Sequence, residues 1–372
     1  MTMKLLVEGL AAFEYILNRV NHAQKSITIN MFIWRNDRIG NDLAKALLDA
    51  ADRGVKIKIV KDKLGGVFEL AEETRLSFFN QQMDMVGKIK AKGIDYLYPM
   101  KGKSSSKPGK NHLLENLISH PGISLDVNRY IADHSKFYII DDRILILGGI
   151  NVEDKELYTD VEGKHYHDYM IGFEDEHMVS LFKDRFFGDQ PCDGDRPVEF
   201  IFNRYNRGQL EKGAKDGLLA YLNKTVGKMD IVMAYLGDQT MTDKIIEMAN
   251  NGIEVSLMLS AKANLQHDTN MRIAKHILKQ TDNQVKLYLN PKMIHAKLIS
   301  IDDQFLTFGS TNLNKQAMVN LGELNVCVKM DKAMASQLRD VIQTEKNASR
   351  FIESYEHIVY NKVRAFLEGP FC

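Results

Sequence analysis

His134, Lys136 and Asp141 stand in the spacing H-x-K-x-x-x-x-D, and His295, Lys297 and Asp302 repeat it. A glycine turn and then an asparagine follow each copy: Gly148-Gly149-Ile150-Asn151 in the first, Gly309-Ser310-Thr311-Asn312 in the second. Two copies with matching tails argue against coincidence. The residue types suit phosphate. Lysine neutralises oxyanions, and the amides of Asn151 and Asn312 can donate hydrogen bonds where charge builds up. Histidine serves near neutral pH as nucleophile or proton carrier. Such a set fits a two-step phosphoryl transfer. One histidine attacks phosphorus and forms a phosphohistidine. The other protonates the leaving oxygen and then deprotonates the incoming water or alcohol. That chemistry needs no metal, and no cofactor is expected. A metal reading of His165 and His167, which bracket Tyr166 beside Asp168, ranks behind, because two loop histidines are weak evidence.

A nucleophilic imidazole must be neutral and correctly oriented, which calls for a carboxylate on its other ring nitrogen. Asp168 and Glu323 occupy comparable places after the two motifs and are the candidates. Ser310 can donate to phosphate, or serve equally well as a turn hydroxyl. Residues Val127 to Ile140 and Met293 to Ile301 suit strands, on which alternate side chains share a face. His134 and Lys136 then point one way, as do His295 and Lys297. Asp141 and Asp302 lie an odd number of residues from their histidines and are expected to be structural.

The elements that must position these groups are themselves duplicated. In the first half a helical run through Phe13, Ile16, Leu17 and Val20 precedes a strand over Ser26–Phe32, a helix over Asp42–Arg53, a stop at Gly54 and a strand over Val55–Val60. In the second half the same order runs through a helix over Leu218–Val226, a strand over Asp230–Tyr235, a helix over Thr242–Asn251, a stop at Gly252 and a strand over Ile253–Leu259. This repeat predicts two β-α-β-rich halves rather than a short-period solenoid. The turn-rich stretch Gly188–Pro197 predicts a boundary, giving lobes of residues 1–190 and 191–372. A helical tail is expected over Lys332–Phe366. The first half carries an extra stretch, Pro99–Ser124, whose lysine-rich part Lys101–Lys110 reads as a loop that could greet anionic headgroups.

The paired motifs closely resemble the phospholipase D superfamily signature, and the resemblance runs from about Glu8 to Val328. Ile33-Trp34-Arg35-Asn36-Asp37, Ile39-Gly40, Ala50–Val55 and Asp142–Asn151 are similar to the wording of bacterial cardiolipin synthases. The resemblance implies an α/β fold of two pseudo-symmetric α/β/α sandwich lobes with mixed sheets and the active site between them. It also implies ping-pong transfer, with His134 as nucleophile and His295 as acid/base. The sequence departs from that wording at Ser135, at Lys315-Gln316-Ala317 and at Asn320-Leu321-Gly322-Glu323, and it lacks the N-terminal membrane helices of many members.

Bulk properties narrow the substrate. Forty-nine basic residues balance forty-nine acidic ones, which argues against a nuclease of the same superfamily, since nucleic-acid binders usually carry a basic surplus. Retention of every motif histidine and lysine argues against a non-catalytic lipid-binding module. The favoured expectation is a phosphatidyltransferase or phosphodiesterase acting on glycerophospholipids. Cys192, Cys327 and Cys372 form no disulfide framework, and no apolar run approaches a membrane span. A cytoplasmic protein, peripheral at the inner face of the cell membrane, is expected. The sequence is silent on oligomeric state.

Overall fold

The computed structural model describes residues 2–71, 76–80, 85–97, 111–157, 166–188, 196–206 and 209–369. The chain divides into two compact units: Met1–His165 with Tyr169–Gln190, and Pro191–Cys372 with the short segment Tyr166–Asp168. The Lys101–Lys110 stretch, His165, Cys192 and Cys372 lie outside the described residues.

The first unit contains β1 (Thr2–Val7), α1 (Glu8–His22), β2 (Ser26–Met31), α2 (Arg38–Asp52), β3 (Lys56–Lys61), α3 (Lys63–Ala71), α4 (Met85–Leu97), α5 (His112–Ser119), β4 (Ile123–Asp126), β5 (Phe137–Ile140) and β6 (Ile144–Gly148). After β7 (Tyr166–His167), which belongs to the other unit, β8 (Tyr169–Glu174) and α6 (Glu176–Phe186) complete it. Its seven strands run in the order β1-β8-β6-β5-β2-β3-β4. The β2, β3 and β4 strands are parallel, and the remaining pairings are antiparallel. β5 is buried on both faces. Tyr138 and Ile140 join the core formed with α1 and α2, while Phe137 packs on Phe182 and Phe186 of α6.

The second unit contains β9 (Val198–Asn206), β10 (Gln209–Lys212), α7 (Ala214–Leu222), β11 (Lys228–Met233), α8 (Gln239–Asn250), β12 (Glu254–Ser260), α9 (His267–Gln280) and β13 (Lys286–Asn290). It continues through β14 (Met293–Ile294), β15 (Lys297–Ile301), β16 (Phe305–Gly309), α10 (Lys315–Val319), β17 (Glu323–Lys329), α11 (Lys332–Ala348), β18 (Arg350–Ile352) and α12 (Lys362–Glu368). Nine strands run β10-β9-β17-β16-β15-β11-β12-β13-β18. The central order β8-β6-β5-β2-β3-β4 of the first sheet recurs here as β17-β16-β15-β11-β12-β13, with the same parallel and antiparallel pairings.

The repeated helix-glycine-strand unit has a backbone cause. Gly54 and Gly252 sit at φ +95° and +88°, where a Cβ is costly, so each ends its helix and releases the next strand. Two expectations are corrected. Val127–Lys136 is not strand, because only Phe137–Ile140 pairs in the sheet. The helix beginning at Lys332 stops at Ala348 rather than running to Phe366, because Arg350–Ile352 pairs with β13 as an edge strand.

Candidate active site

Both motif aspartates serve the backbone. Asp141 accepts from the N–H groups of Gln24, Lys25 and Ser26 at 2.7–3.0 Å. Asp302 accepts from Val226, Gly227 and Lys228 at 2.7–2.9 Å. Each stands at positive φ and gathers the loop that opens the adjacent antiparallel strand, β2 or β11. Burial acts to raise the Asp302 carboxyl, but its three N–H donors outweigh burial and hold it below the ordinary value.

The lysines follow one pattern in both units. Lys136 and Lys297 are buried, and each ammonium turns back onto the carbonyl of its own motif's histidine. This local ring fixes the histidine backbone relative to the ammonium. In the first unit the chain leaves the sheet before the motif. Asp133 accepts from Ser135 N and Oγ at 2.9 and 2.6 Å, while Asp62 accepts from Asp133 N at 2.6 Å. Burial raises the Asp62 carboxyl to about 6 despite those backbone donors. The His134 ring meets Phe32 edge-on at 4.7 Å, and Lys136 lies over the same phenyl at 5.4 Å. Phe32, absent from the sequence-derived site, is therefore the wall on which the first half-site rests.

In the second unit His295 is buried and its Nδ1–H donates to Asp168 Oδ2 at 2.8 Å. Asp168 follows the first motif in sequence yet folds with the second. The bridge is β7, which pairs in parallel with β14 so that His167 O accepts from both His295 N and Ala296 N at 3.0 Å. The backbone thus breaks between β14 and β15, correcting the expectation of one strand over Met293–Ile301. The Tyr166 ring lies 5.3 Å from the imidazole. His167 itself is buried, with Nδ1 3.9 Å from Glu345, which in turn holds Lys292 and Asn290. A two-residue strand leaves no periodicity to read, so only the neighbouring carboxylate was visible in the sequence.

Asn151 and Asn312 lie at equivalent places, each just before a parallel bridge, Trp34 with Val152 and Leu236 with Leu313. Asn151 Oδ1 accepts from Ile33 N at 3.3 Å, which turns the amide's donor end away from that backbone. Asn312 is buried, and its Oδ1 has no hydrogen-bond partner among the described residues. The stretch Ile33–Asp37 supports Asn151 from behind. Arg35 Nε contacts Glu153 at 2.7 Å, and Asp37 accepts from Asp154 N at 2.8 Å. Glu323 is fully buried and accepts the Ser310 hydroxyl, so that hydroxyl's proton is committed to a carboxylate in this conformation. Gly309 brings β16 against Leu324 O so closely that a Cβ would lie 2.1 Å from it, and Gly148 makes the equivalent approach to Tyr169 O at 2.2 Å.

Residues 16–188 and 218–345 match the family model described as "Cardiolipin synthase, PLD-like domain". The chain belongs to this family. Among its relatives, the cardiolipin synthase of Clostridium perfringens (strain 13 / Type A) is 23% identical over 381 residues, covering 95% of this chain and 72% of the relative. Cardiolipin synthase B of Salmonella typhi is 23% identical over 362 residues, covering 92% and 79%. The crystal structure of phosphatidylserine synthase from Haemophilus influenzae Rd KW20 superposes with a TM-score of 0.68 at 13% identity, covering 99% of this chain and 92% of that one. These likenesses establish the phospholipase D-like fold of mixed α/β units, and the matched ranges contain both His-Lys sets described above.

Proposed function

We propose that this chain is a phospholipid phosphatidyltransferase of the cardiolipin synthase kind, working through a phosphohistidine. In this reading both half-sites act on one phosphorus. His134 attacks the phosphodiester, a P–N bond forms, and the P–O bond to the headgroup alcohol breaks as His295 donates its Nε2 proton to the leaving oxygen. An acceptor alcohol then gives its proton to His295 and attacks phosphorus, and the P–N bond breaks to restore His134. Water as acceptor gives phosphatidic acid by the same steps. Lys136 and Lys297 would neutralise the non-bridging oxygens, and the amides of Asn151 and Asn312 would donate to the charge that builds on them.

The buried pair His295–Asp168 is the observation that carries this reading. A carboxylate on Nδ1 fixes the ring's tautomer, leaves Nε2 for proton transfer and stabilises the imidazolium that forms. The names of the relatives supply the lipid: cardiolipin synthase and phosphatidylserine synthase. Incubation of the purified chain with phosphatidylglycerol tests the proposal. Release of glycerol together with cardiolipin or phosphatidic acid is expected, and it should vanish in His134→Ala. Absence of turnover of any phospholipid, with or without added alcohols, would refute it.

A further inference from the structure

The last helix turns its apolar face outward. On α12, Ala365 and Glu368 face inward, while Val363, Phe366 and Leu367 are 68%, 79% and 41% exposed. At 3.6 residues per turn the three apolar side chains form one stripe opposite the packed face. Lys362 and Arg364 flank that stripe on its two sides, and both are exposed. The helix's single acid, Glu368, is turned inward, where it accepts from Thr269 N at 2.9 Å. Val359, just before the helix, is 84% exposed. An open groove between α9 and α12 is lined by Arg272, Tyr360, Lys362, Ala365, Phe366 and Leu367.

This face is held rather than frayed. Asn361 caps the helix by accepting from Val363 N and Arg364 N at 3.0 and 3.1 Å, and its own N–H donates to Asp268 at 2.7 Å. Thr269 Oγ1 donates to Ala365 O at 3.3 Å. The attachment is at the N-terminal end of α9, and the loop leading into that end reaches the catalytic histidine of this unit. Asn264 donates to the Tyr166 hydroxyl at 3.0 Å, and the Tyr166 ring lies 5.3 Å from His295.

We propose that α12 is the docking surface for an anionic bilayer, with Val363, Phe366 and Leu367 entering the headgroup boundary and Lys362, Arg364 and Arg272 meeting lipid phosphates. An outward apolar stripe rimmed by cations is the pattern of an interfacial helix. A second copy of the chain is disfavoured as occupant, because a two-fold contact through this face would set Lys362 and Arg364 against like charges. The proposal rests on the phospholipid reading above and names the surface that presents the substrate to it.

The test uses the full chain and vesicles of phosphatidylcholine with about one-third phosphatidylglycerol. The parent is expected to float with these vesicles and not with pure phosphatidylcholine. The variant Phe366→Ser/Leu367→Ser should retain its circular dichroism and melting, yet bind at least about tenfold more weakly. Brominated lipid should quench the indole introduced by Phe366→Trp but leave the buried Trp34 unaffected. Turnover of monomeric, short-chain phosphatidylglycerol should be equal in parent and variant. Patch-dependent flotation without turnover of any phospholipid would leave the surface in place and remove the proposed reaction. Equal flotation of parent and variant would overturn the surface, as would failure of the parent to float. Self-association that the variant abolishes while flotation stays unchanged would also overturn it, in favour of a second copy.

Discussion

In the proposed reaction Asp168 is the residue on which the second half-site turns. Its carboxylate can only accept from His295 Nδ1, so it dictates one tautomer. Asp168→Asn keeps the shape but offers an amide that can donate, which removes that control. Turnover of phosphatidylglycerol is expected to fall by about 10²- to 10⁴-fold, with circular dichroism and melting unchanged. A fall of less than about threefold would make the contact ornamental. The sequence showed a carboxylate near His167 but not whose imidazole it would meet. Residue types and spacing identify the His-Lys sets, because that chemistry is carried by the side chains alone. The crossing of Asp168 depends on β7 pairing with β14, a contact between segments more than a hundred positions apart, and no local pattern encodes it. Ser310 illustrates the opposite limit: its hydroxyl was open to two roles, and the partner it takes, Glu323, is set by the tight β16–β17 approach at Gly309.

At the scale of elements, duplication was legible because helix stops and strand alternation are local. Gly54 and Gly252 mark it plainly. The late strand start at Phe137 and the break at His295 were not legible, since Val127, Tyr130 and Ile131 before the one and Met293, Ile294 and Ala296 around the other suit strands, while side-chain and carbonyl acceptors, Asp133 and His167 O, take over backbone donors there. The same logic makes Asp141 and Asp302 structural anchors. Asp302→Ala removes the acceptor of three backbone N–H groups and should lower unfolding stability by about 1–3 kcal/mol, read by urea titration. Loss of activity without loss of stability would contradict that role. Two acids add a pH dependence. Burial, the leading cause, raises Asp37 to about 7 and Asp62 to about 6 from ordinary values near 3.8. A folded value above the unfolded one means that the native state binds the proton more tightly. The stability these acids contribute is full below the unfolded value and is lost as pH rises through 6 and 7. Subtracting the Asp37→Asn/Asp62→Asn stability profile from that of the parent should leave a difference that declines between about pH 4 and pH 7 and is level above. A flat or rising difference would show that these carboxyls are not raised.

For the whole molecule, the proposed ping-pong transfer through one phosphatidyl intermediate would have a consequence that no single element determines. Different donors must converge on the same intermediate. The ratio of alcohol transfer to hydrolysis should therefore be identical for phosphatidylglycerol, phosphatidylethanolamine and cardiolipin donors at a fixed alcohol concentration. A ratio that follows the leaving group would point to direct displacement. The near-zero net charge of the chain fits an enzyme whose cations are concentrated locally, at the motif lysines and along the rim of α12, rather than spread as a basic field. The central claim is that an imidazole and an ammonium from each half serve one phosphorus atom. It is tested most directly by rapid quenching of the His295→Ala variant after exposure to a p-nitrophenyl phosphatidyl ester, whose leaving group needs no proton from His295, with mass spectrometry of the alkaline-quenched peptides. A phosphatidyl adduct on His134 is expected to accumulate, because its breakdown lacks the base, and to be absent when His134→Ala is added. Turnover that persists in His134→Ala, or an adduct on any other residue, would contradict the account.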